Sequence, residues 1–127
     1  MAATYSGHKS DKLVWLAINS GAPGKQGNGV ERNRKAREDY GIAYPVLLDE
    51  SGAVGRLSGA KTTPTMFVIV DGKIVYDGAI DNNPSPGTLG ETNYVAAALD
   101  ALTAGTAVAV AETKSYGCSV KYGTDVP

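Results

Sequence analysis

Lys61-Thr-Thr-Pro-Thr-Met-Phe-Val-Ile-Val70 runs directly into Asp71-Gly-Lys-Ile-Val-Tyr-Asp77, and this stretch decides the fold. Two runs rich in β-branched and apolar residues flank an Asp-Gly pair, which is a strong short-range signal for a two-residue hairpin turn. Pro64 opens the first run, where a strand tolerates a residue without a backbone N–H. The pattern therefore predicts an antiparallel hairpin with strands at 65–70 and 73–78.

Upstream of the hairpin, the sequence predicts a β-α-β unit with parallel strands. Residues 13–18 are continuously apolar, which is typical of a strand buried on both faces of a parallel sheet. Asn28 and Glu31 have capping-box spacing for a helix that ends near Gly41. Because most residues of that helix are charged, we expect it on the surface. Residues 45–49 predict a second, short strand.

Further short elements complete the predicted order β-loop-α-β-α-β-β-α. A brief helix is expected over 53–57, and apolar residues at helical spacing predict a last helix over 91–104. Residues 106–111 alternate small and β-branched side chains, which indicates an edge strand. Neither repeats nor linkers occur, so the 127 residues predict one domain. Within it, residues 1–12 precede the first predicted strand, and 106–127 are a tail.

Composition excludes several classes of function. Lys and Arg number 12 against 13 Asp and Glu, for a formal charge of -1, which leaves no basic surface for nucleic acid or for a membrane. The longest apolar runs are too short to cross a bilayer, and the first residues lack the regions of a signal peptide. We therefore expect a soluble, cytoplasmic protein whose partners are small molecules or proteins, with neither nucleic acid nor membrane among them.

The order of elements and several motifs resemble the redoxin branch of the thioredoxin superfamily, which includes the alkyl hydroperoxide reductase and thiol-specific antioxidant group. The resemblance runs from residue 13 to about residue 122, and its specificity lies in the combination and order of the motifs. The matching motifs are Trp15-Leu-Ala-Ile-Asn19, Tyr44-Pro-Val-Leu-Leu-Asp49, residues 55–64, Asp71-Gly-Lys-Ile-Val-Tyr76 and Tyr116-Gly-Cys-Ser-Val-Lys-Tyr122. The resemblance implies a thioredoxin-like α/β three-layer sandwich over 1–127, with a mixed sheet that ends in an antiparallel hairpin and a helix.

The resemblance also implies an element that these 127 residues do not contain. Family members carry a strand, a helix and a cysteine motif before the strand that matches 13–18, and here no cysteine precedes Cys118. Residues 1–12 would then be the remnant of that first helix or a flexible arm, and we expect an N-terminally truncated or rearranged sheet. Either strands 13–18 and 65–70 pair directly, or strand 106–111 or another chain takes the empty place. An exposed sheet edge would favour a homodimer.

Cys118, Thr63 and Pro64 are the candidate site residues. The resemblance places Thr63 and Pro64 in the substrate groove, with a cis peptide bond between them, and makes Cys118 the candidate catalytic thiol. The alternatives for Cys118 are a small, half-buried side chain near a terminus and a disulfide bridge to a second copy of the chain. A reactive thiolate needs a polarising environment, for which Lys121 is the candidate.

Other residues with potential chemistry have plainer interpretations. His8 is the only histidine, so it forms neither a metal site nor a catalytic pair, and we expect it in solvent. Residues 24–29 are rich in glycine but match no phosphate-loop pattern, and they predict a flexible surface loop. The acidic residues fit no calcium-loop spacing. The sequence therefore indicates no cofactor and no metal ion.

These features predict a redoxin-like protein related to thiol-dependent peroxidases and thiol–disulfide oxidoreductases. The family implies oxidoreductase or antioxidant activity, with a thiol or disulfide protein as partner, but the missing cysteine motif predicts weak or no autonomous catalysis. The alternative is a non-catalytic binding or self-assembly domain that uses the thioredoxin-like groove or an open sheet edge, with a second copy as partner. A third interpretation is a fragment of a longer enzyme.

Overall fold

The computed structural model describes residues 2–10, 12–25, 27–85 and 90–123. Within these residues, four helices and six short strands form a mixed α/β protein, which confirms the predicted α/β class. The strands form three sheets of two strands each. In chain order the elements are α1 (Ala2–His8), β1 (Ala17–Asn19), α2 (Val30–Asp39), β2 (Val46–Leu48), α3 (Ala53–Leu57), β3 (Thr62–Thr63), β4 (Met66–Val70), β5 (Lys73–Gly78), α4 (Tyr94–Thr103) and β6 (Cys118–Ser119).

The chain divides into two compact units. Residues 62–118 form the hairpin unit, which contains β4, β5 and α4. Residues 2–61 together with 119–123 form the parallel unit, which contains β1, β2 and the helices α1 to α3. None of the helices described is long and apolar enough to cross a membrane.

The antiparallel hairpin of β4 and β5 is confirmed, with bounds close to the predicted ones. Its open end pairs Met66 with Gly78. At the closed end, Asp71 and Gly72 have positive φ angles of 50° and 77°. Two central residues with positive φ are the mark of a type I′ turn, whose twist matches that of the flanking strands. The Asp-Gly pair therefore forms the turn that the sequence predicts.

The core of the hairpin unit lies where α4 packs on β4. Val95 and Leu99 of α4 are buried, as is Val68 of β4. Tyr76 of β5 has no exposed surface, and its hydroxyl donates a hydrogen bond to the carbonyl of Ala79. Because a buried hydroxyl needs a partner, this bond lets a large aromatic ring fill the core.

Helix α4 begins later than the predicted range 91–104. The side chain of Asn93 accepts a hydrogen bond of 2.8 Å from the backbone N–H of Ala96, so Asn93 is the N-cap and the helix starts at Tyr94. Asparagine is among the best N-cap residues because its side chain satisfies a free N–H of the first turn. Gly105, with a φ of 74°, follows the last turn.

The edge strand predicted for 106–111 is wrong, because these described residues form no strand. At the end of this segment and just after it, the chain instead makes backbone hydrogen bonds to β5 at Asp77. The N–H of Asp77 donates to the carbonyl of Ala111, and the carbonyl of Asp77 accepts from the N–H of Thr113, both at 3.0 Å. The side chains of 106–111 are small and mostly exposed, so pairing along the whole segment would bury little apolar surface.

In the parallel unit, β1 and β2 pair in parallel, and α2 connects them in the chain, as the sequence predicts. Ala17 stands opposite Val46, and Asn19 opposite Leu48. Helix α2 has no buried residue, which confirms its surface position. The predicted capping box is wrong: Gly29 is the N-cap, and no described side chain caps this helix.

The prediction that residues 13–18 are buried on both faces is also wrong. Val14, Leu16 and Ile18 are 78%, 50% and 48% exposed, and Leu47 on the neighbouring strand is 46% exposed. Ile18 and Leu47 stand opposite each other in the β1–β2 pair, so the face of this sheet that carries them is open. Val14 and Leu16 precede β1, which is shorter than the strand predicted over 13–18. The apolar run indicates a preference for burial, whereas actual burial requires another layer to cover it.

Three aromatic rings form a cluster in the parallel unit. Tyr5 of α1 makes edge-on contacts with Trp15 and Tyr44, at centroid distances of 5.9 Å and 5.5 Å. Trp15 and Tyr44 are 5.7 Å apart, and Tyr44 is buried. Such edge-on pairs add stabilisation beyond the area that they bury. Tyr5 therefore anchors α1 within this unit.

Residues 119–123 fold back along the parallel unit. The hydroxyl of Tyr122 donates to the carbonyl of Ala60 at 2.6 Å, and the guanidinium carbon of Arg56 lies 4.8 Å from the centre of the Tyr122 ring. The carbonyl of Lys121 accepts from the N–H of Ala22 at 2.9 Å. The cation–π contact and the hydrogen bonds together hold this segment in place.

Candidate functional site

The structure brings Thr63, Pro64 and Cys118 together in the hairpin unit. Strand β3 pairs with β6, which begins at Cys118. The approach is tightest at Gly117, where an added Cβ would lie 2.2 Å from the carbonyl oxygen of Thr63 and 3.6 Å from Pro64 Cδ. The candidate thiol and the candidate groove are therefore neighbours, although they are far apart in the sequence.

Hydroxyl groups hold the segment around Pro64. The Thr63–Pro64 peptide bond is cis, as the resemblance implies. The hydroxyl of Thr65 donates to the carbonyl of Thr62 at 2.6 Å, and the hydroxyl of Thr62 donates to Ser115 Oγ at 2.7 Å. Thr63 is exposed and Pro64 is half-buried, so the surface beside Cys118 is open to a ligand.

Cys118 is a free thiol and is exposed rather than half-buried. It is the single cysteine of the sequence, so any disulfide joins it to another molecule. The preceding Gly117 has a φ of 122°, a conformation that glycine adopts readily and other residues do not. Lys121, the candidate activating cation, donates instead to the hydroxyl of Ser119 at 2.8 Å.

His8 and the acidic residues form no metal site within the described part of the chain, where no group of three or more His, Cys, Asp or Glu side chains could hold an ion. His8 belongs to α1, and its Nδ1 lies 2.8 Å from the carbonyl oxygen of Thr4. Its position near the helix end gives it a local structural contact. No catalytic role follows from that contact.

Asp81, one of the acidic residues whose spacing fits no calcium loop, is a buried carboxylate in the hairpin unit. Asp81 is only 8% exposed, and its carboxylate accepts hydrogen bonds from three donors. These are the hydroxyl of Tyr116, the N–H of Gly90 at 2.9 Å and the N–H of Asn83 at 3.1 Å. Asp before Asn-Asn-Pro is a turn signal, which could have indicated the local bond to Asn83 but not the distant bond to Tyr116.

The bond between Tyr116 and Asp81 shifts both acidities. Donation from Tyr116 lowers the pKa of Asp81 below its ordinary value, against the opposing effect of burial, and the N–H groups of Gly90 and Asn83 act in the same direction. Burial, followed by the hydrogen bond to Asp81 and its charge, raises the pKa of Tyr116 to about 12. The pair is therefore a carboxylate and a neutral phenol at neutral pH.

Asparagine side chains hold the glycine-rich loop that follows β1, which the sequence predicts to be flexible. The Asn19 amide donates to the carbonyl of Gly27 and to Asn33 Oδ1, both at 2.9 Å. The Asn33 amide donates to the same carbonyl at 3.0 Å. The Asn28 amide donates to the carbonyl of Gly21 at 3.0 Å. These bonds satisfy loop carbonyls, so their role is structural.

Asp49 organises the start of α3 in the parallel unit. Its carboxylate accepts from Ser20 Oγ at 2.6 Å, from the N–H of Val54 at 3.3 Å and from the N–H of Gly55 at 3.0 Å. Burial raises the pKa of Asp49, but these hydrogen bonds outweigh it, so that the pKa is lowered overall. The residue therefore acts as a helix-capping carboxylate.

No protein-family model and no curated protein matches this chain. Solved structures do match it over nearly its whole length. A hypothetical protein from Sinorhizobium meliloti is 30% identical and superposes with a TM-score of 0.78, over 97% of this chain and 67% of that protein. The chain belongs to the same family as the Sinorhizobium meliloti protein. An uncharacterized conserved protein from Geobacillus kaustophilus is similar too, at 29% identity and a TM-score of 0.82, over 98% of this chain and 66% of that protein.

The chain spans about two thirds of the length of these two structures. Both are of proteins without an assigned activity, so membership of the family brings neither a substrate nor a reaction. Function has to be argued from the residues of the site itself. The candidate residues for such a site in this family member are the exposed Cys118 and the adjoining Thr63 and Pro64.

Proposed function

We propose that this family member is a thioredoxin-like domain related to the redoxins, in which Cys118 performs weak single-thiol chemistry on peroxides. The observation that carries the proposal is the position of the exposed Cys118 beside Thr63 and Pro64. The resemblance in sequence assigns these residues to the catalytic thiol and to the substrate groove. An open surface next to a free thiol is the least that such chemistry requires.

The order of the elements supports the fold in this proposal. Strands β1 and β2, parallel and joined through α2, precede the antiparallel β4–β5 hairpin, and α4 follows it. This order is expected of the C-terminal portion of a thioredoxin-like domain. The three-layer sandwich remains part of the proposal, whereas the described strands form three two-stranded sheets rather than the expected single mixed sheet.

The chemistry needs one thiol in the chain and a second, external thiol. The thiolate of Cys118 attacks one oxygen of a hydroperoxide ROOH, so that an S–O bond forms as the O–O bond breaks. The products are the sulfenic acid and, after the leaving alkoxide takes a proton, the alcohol ROH. An external thiol R′SH then forms a mixed disulfide and releases water. A second R′SH restores the thiol of Cys118 and leaves as R′SSR′.

Peroxide consumption with dithiothreitol as the external thiol tests this proposal. We expect slow turnover above the protein-free rate, its loss in Cys118→Ser, and no change in the neighbouring control Ser119→Ala. Dimedone, which labels sulfenic acids, should add one label to the peroxide-treated protein and none to Cys118→Ser. Full turnover by Cys118→Ser would refute the thiol mechanism.

A second candidate is a non-catalytic self-assembly domain, which the open sheet face of the parallel unit favours. Ile18 and Leu47 are paired on this face and are both substantially exposed, as are Val14 and Leu16 just before β1. In the described residues β1 and β2 pair only with each other, so each has a free edge. Free edges and contiguous apolar surface are typical of interaction sites. The partner in this proposal is a second copy of the chain.

Sedimentation equilibrium distinguishes this candidate from the first. We expect a reversible dimer for the wild-type protein and a monomer for Ile18→Lys, because a charge on the covered face would be buried without a partner. Tyr40→Lys is the matched control, since Tyr40 is 77% exposed and lies at the C-cap of α2. A wild-type protein that stays monomeric at every concentration would exclude self-assembly and leave the thiol proposal untouched.

A further inference from the structure

We propose that the hairpin unit contains a binding pocket for a small organic carboxylate, separate from Cys118. The pocket has a volume of about 330 Å³ and lies between residues 79–84, the start of α4 and residues 113–116. This volume is at the lower end of the range for small-molecule sites. The residues that the argument uses are Ala79, Asn82, Pro84, Tyr94, Lys114 and Tyr116, all of which line the pocket.

The polar groups that remain available on the pocket wall are donors. Among the described residues, neither the amine of Lys114 nor the hydroxyl of Tyr94 has a hydrogen-bond or ion-pair partner. Asn82 uses its side-chain oxygen to accept from the N–H of Thr92 at 3.1 Å, which leaves its amide N–H₂ for a ligand. An ammonium group, an amide N–H₂ and a phenol hydroxyl together match a ligand rich in acceptors, and a carboxylate supplies two oxygens and a compensating charge.

The one carboxylate on the wall, Asp81, already has its own donors. Its oxygens accept from Tyr116, Gly90 and Asn83, so the carboxylate does not need the amine of Lys114. The same bonds hold the polypeptide on two sides of the pocket in place. A wall fixed before the ligand arrives loses little conformational entropy on binding.

Apolar groups on the wall indicate that the ligand has an organic body as well as an anionic group. Ala79 and Pro84 contribute aliphatic surface, and Tyr94 and Tyr116 contribute rings. The Tyr94 ring is itself stacked on Tyr76, with centroids 6.2 Å apart. A ring or a short aliphatic chain next to the carboxylate would contact these groups, whereas an inorganic anion would leave them uncovered. The geometry therefore favours an aromatic or short aliphatic carboxylate over phosphate.

Benzoate is a suitable probe, and benzyl alcohol is a neutral probe of similar size and shape. In nitrogen–proton correlation spectra of the whole chain, benzoate should cause saturable shifts at residues around Tyr94 and Lys114. Lys114→Met should weaken benzoate binding by about two- to fivefold, because an exposed ion pair contributes modestly. The same variant should bind benzyl alcohol as the wild type does. Lys73→Met, at the hairpin turn and outside the pocket lining, is the matched control.

Every outcome decides for or against the carboxylate site. Saturable shifts that weaken in Lys114→Met but not in Lys73→Met support it. Equal affinity of Lys114→Met and wild type for benzoate, equal affinity of wild type for both probes, or an absence of saturable shifts overturns it. Since Lys114 is exposed, its replacement should leave the fold intact, and the unchanged spectrum of the free variant would verify this.

Discussion

The hydroxyl of Tyr116 donates a hydrogen bond to the carboxylate of Asp81, the one charged residue that is buried in the described part of the chain. Tyr116→Phe removes that donor and leaves the buried carboxylate undersatisfied. We expect a loss of about 1–3 kcal/mol in the free energy of unfolding, measured by urea denaturation at neutral pH. Tyr94→Phe is the control, because its hydroxyl has no hydrogen-bond partner among the described residues, and it should change stability by less than about 0.5 kcal/mol. Equal effects of both variants would disprove the role of this bond.

The same pair predicts how stability depends on alkaline pH. The pKa of Tyr116 is raised from 10.0 to about 12, so folding favours the neutral phenol. Its contribution is fully present below pH 10 and is lost as the pH rises through about 12. The difference in unfolding free energy between wild type and Tyr116→Phe should therefore shrink over this range. Burial also raises the pKa values of Tyr44, Tyr76 and Tyr122, so an ultraviolet titration should show several late-ionising phenols in the wild type and one fewer in the variant.

The contribution of Asp49 to the stability of the parallel unit is expected to depend on pH in the acid range. Its pKa is lowered from 3.8, so its contribution is present above pH 3.8 and is lost as the pH falls through the folded-state value. Asp49→Ala should cost about 1–2 kcal/mol at neutral pH, since it removes the cap of α3 and leaves Ser20 without its acceptor. The difference from wild type should diminish in acid. Glu50→Ala is the control and should lose less of the free energy of unfolding. If the loss caused by Asp49→Ala did not vary with pH, the explanation by a charged capping group would be contradicted.

Replacing Gly55 is expected to cause a packing defect where residues 119–123 meet α3. A Cβ at this position would lie 2.5 Å from Tyr122 Oη and 2.6 Å from Ser20 Oγ, so Gly55→Ala forces both groups to move. We expect a loss of about 1–3 kcal/mol, as for other overpacked sites. Gly7→Ala in α1 is the opposite case, because nothing lies within 4 Å of an added Cβ. Gly7→Ala should raise the free energy of unfolding by about 0.5–1 kcal/mol through helix propensity. In thermal unfolding, the midpoint temperature should therefore fall for Gly55→Ala and rise for Gly7→Ala.

The reactivity of Cys118 is expected to depend on the close backbone contact that Gly117 makes with Thr63. Gly117→Ala places a Cβ 2.2 Å from the carbonyl oxygen of Thr63, so the residues on either side of the contact must separate. Gly105→Ala also strains a positive φ, of 74°, but it meets no atom within 4 Å. Gly105→Ala should lose about 1 kcal/mol of stability from its φ alone, and Gly117→Ala should lose more, because the clash with the Thr63 carbonyl adds to the backbone strain. Only Gly117→Ala should lose peroxide-dependent dimedone labelling. If the two variants were labelled equally, the reactivity of Cys118 would not depend on the contact between Gly117 and Thr63.

The predictions that succeeded depend on short stretches of sequence. The Asp-Gly pair at 71–72 determines a turn by backbone conformation alone, and the predicted helix at 53–57 coincides with α3. The charge of α2 places it on the surface, because charged side chains are costly to bury without partners. Helix bounds were less predictable: the spacing of Asn28 and Glu31 fits a capping box, but Asn28 bonds elsewhere and Gly29 takes the cap position.

The sequence by itself therefore determined the β-hairpin, the parallel order around α2 and the α/β class, because turn chemistry and side-chain periodicity act within a few residues. Tertiary structure alone decided that the 13–18 run has an open face, since burial requires a covering layer that an apolar run cannot specify. It also decided that Tyr116 reaches Asp81 and that Cys118 adjoins Thr63. Each of these contacts joins segments distant along the chain, and which segments meet depends on how the whole polypeptide packs.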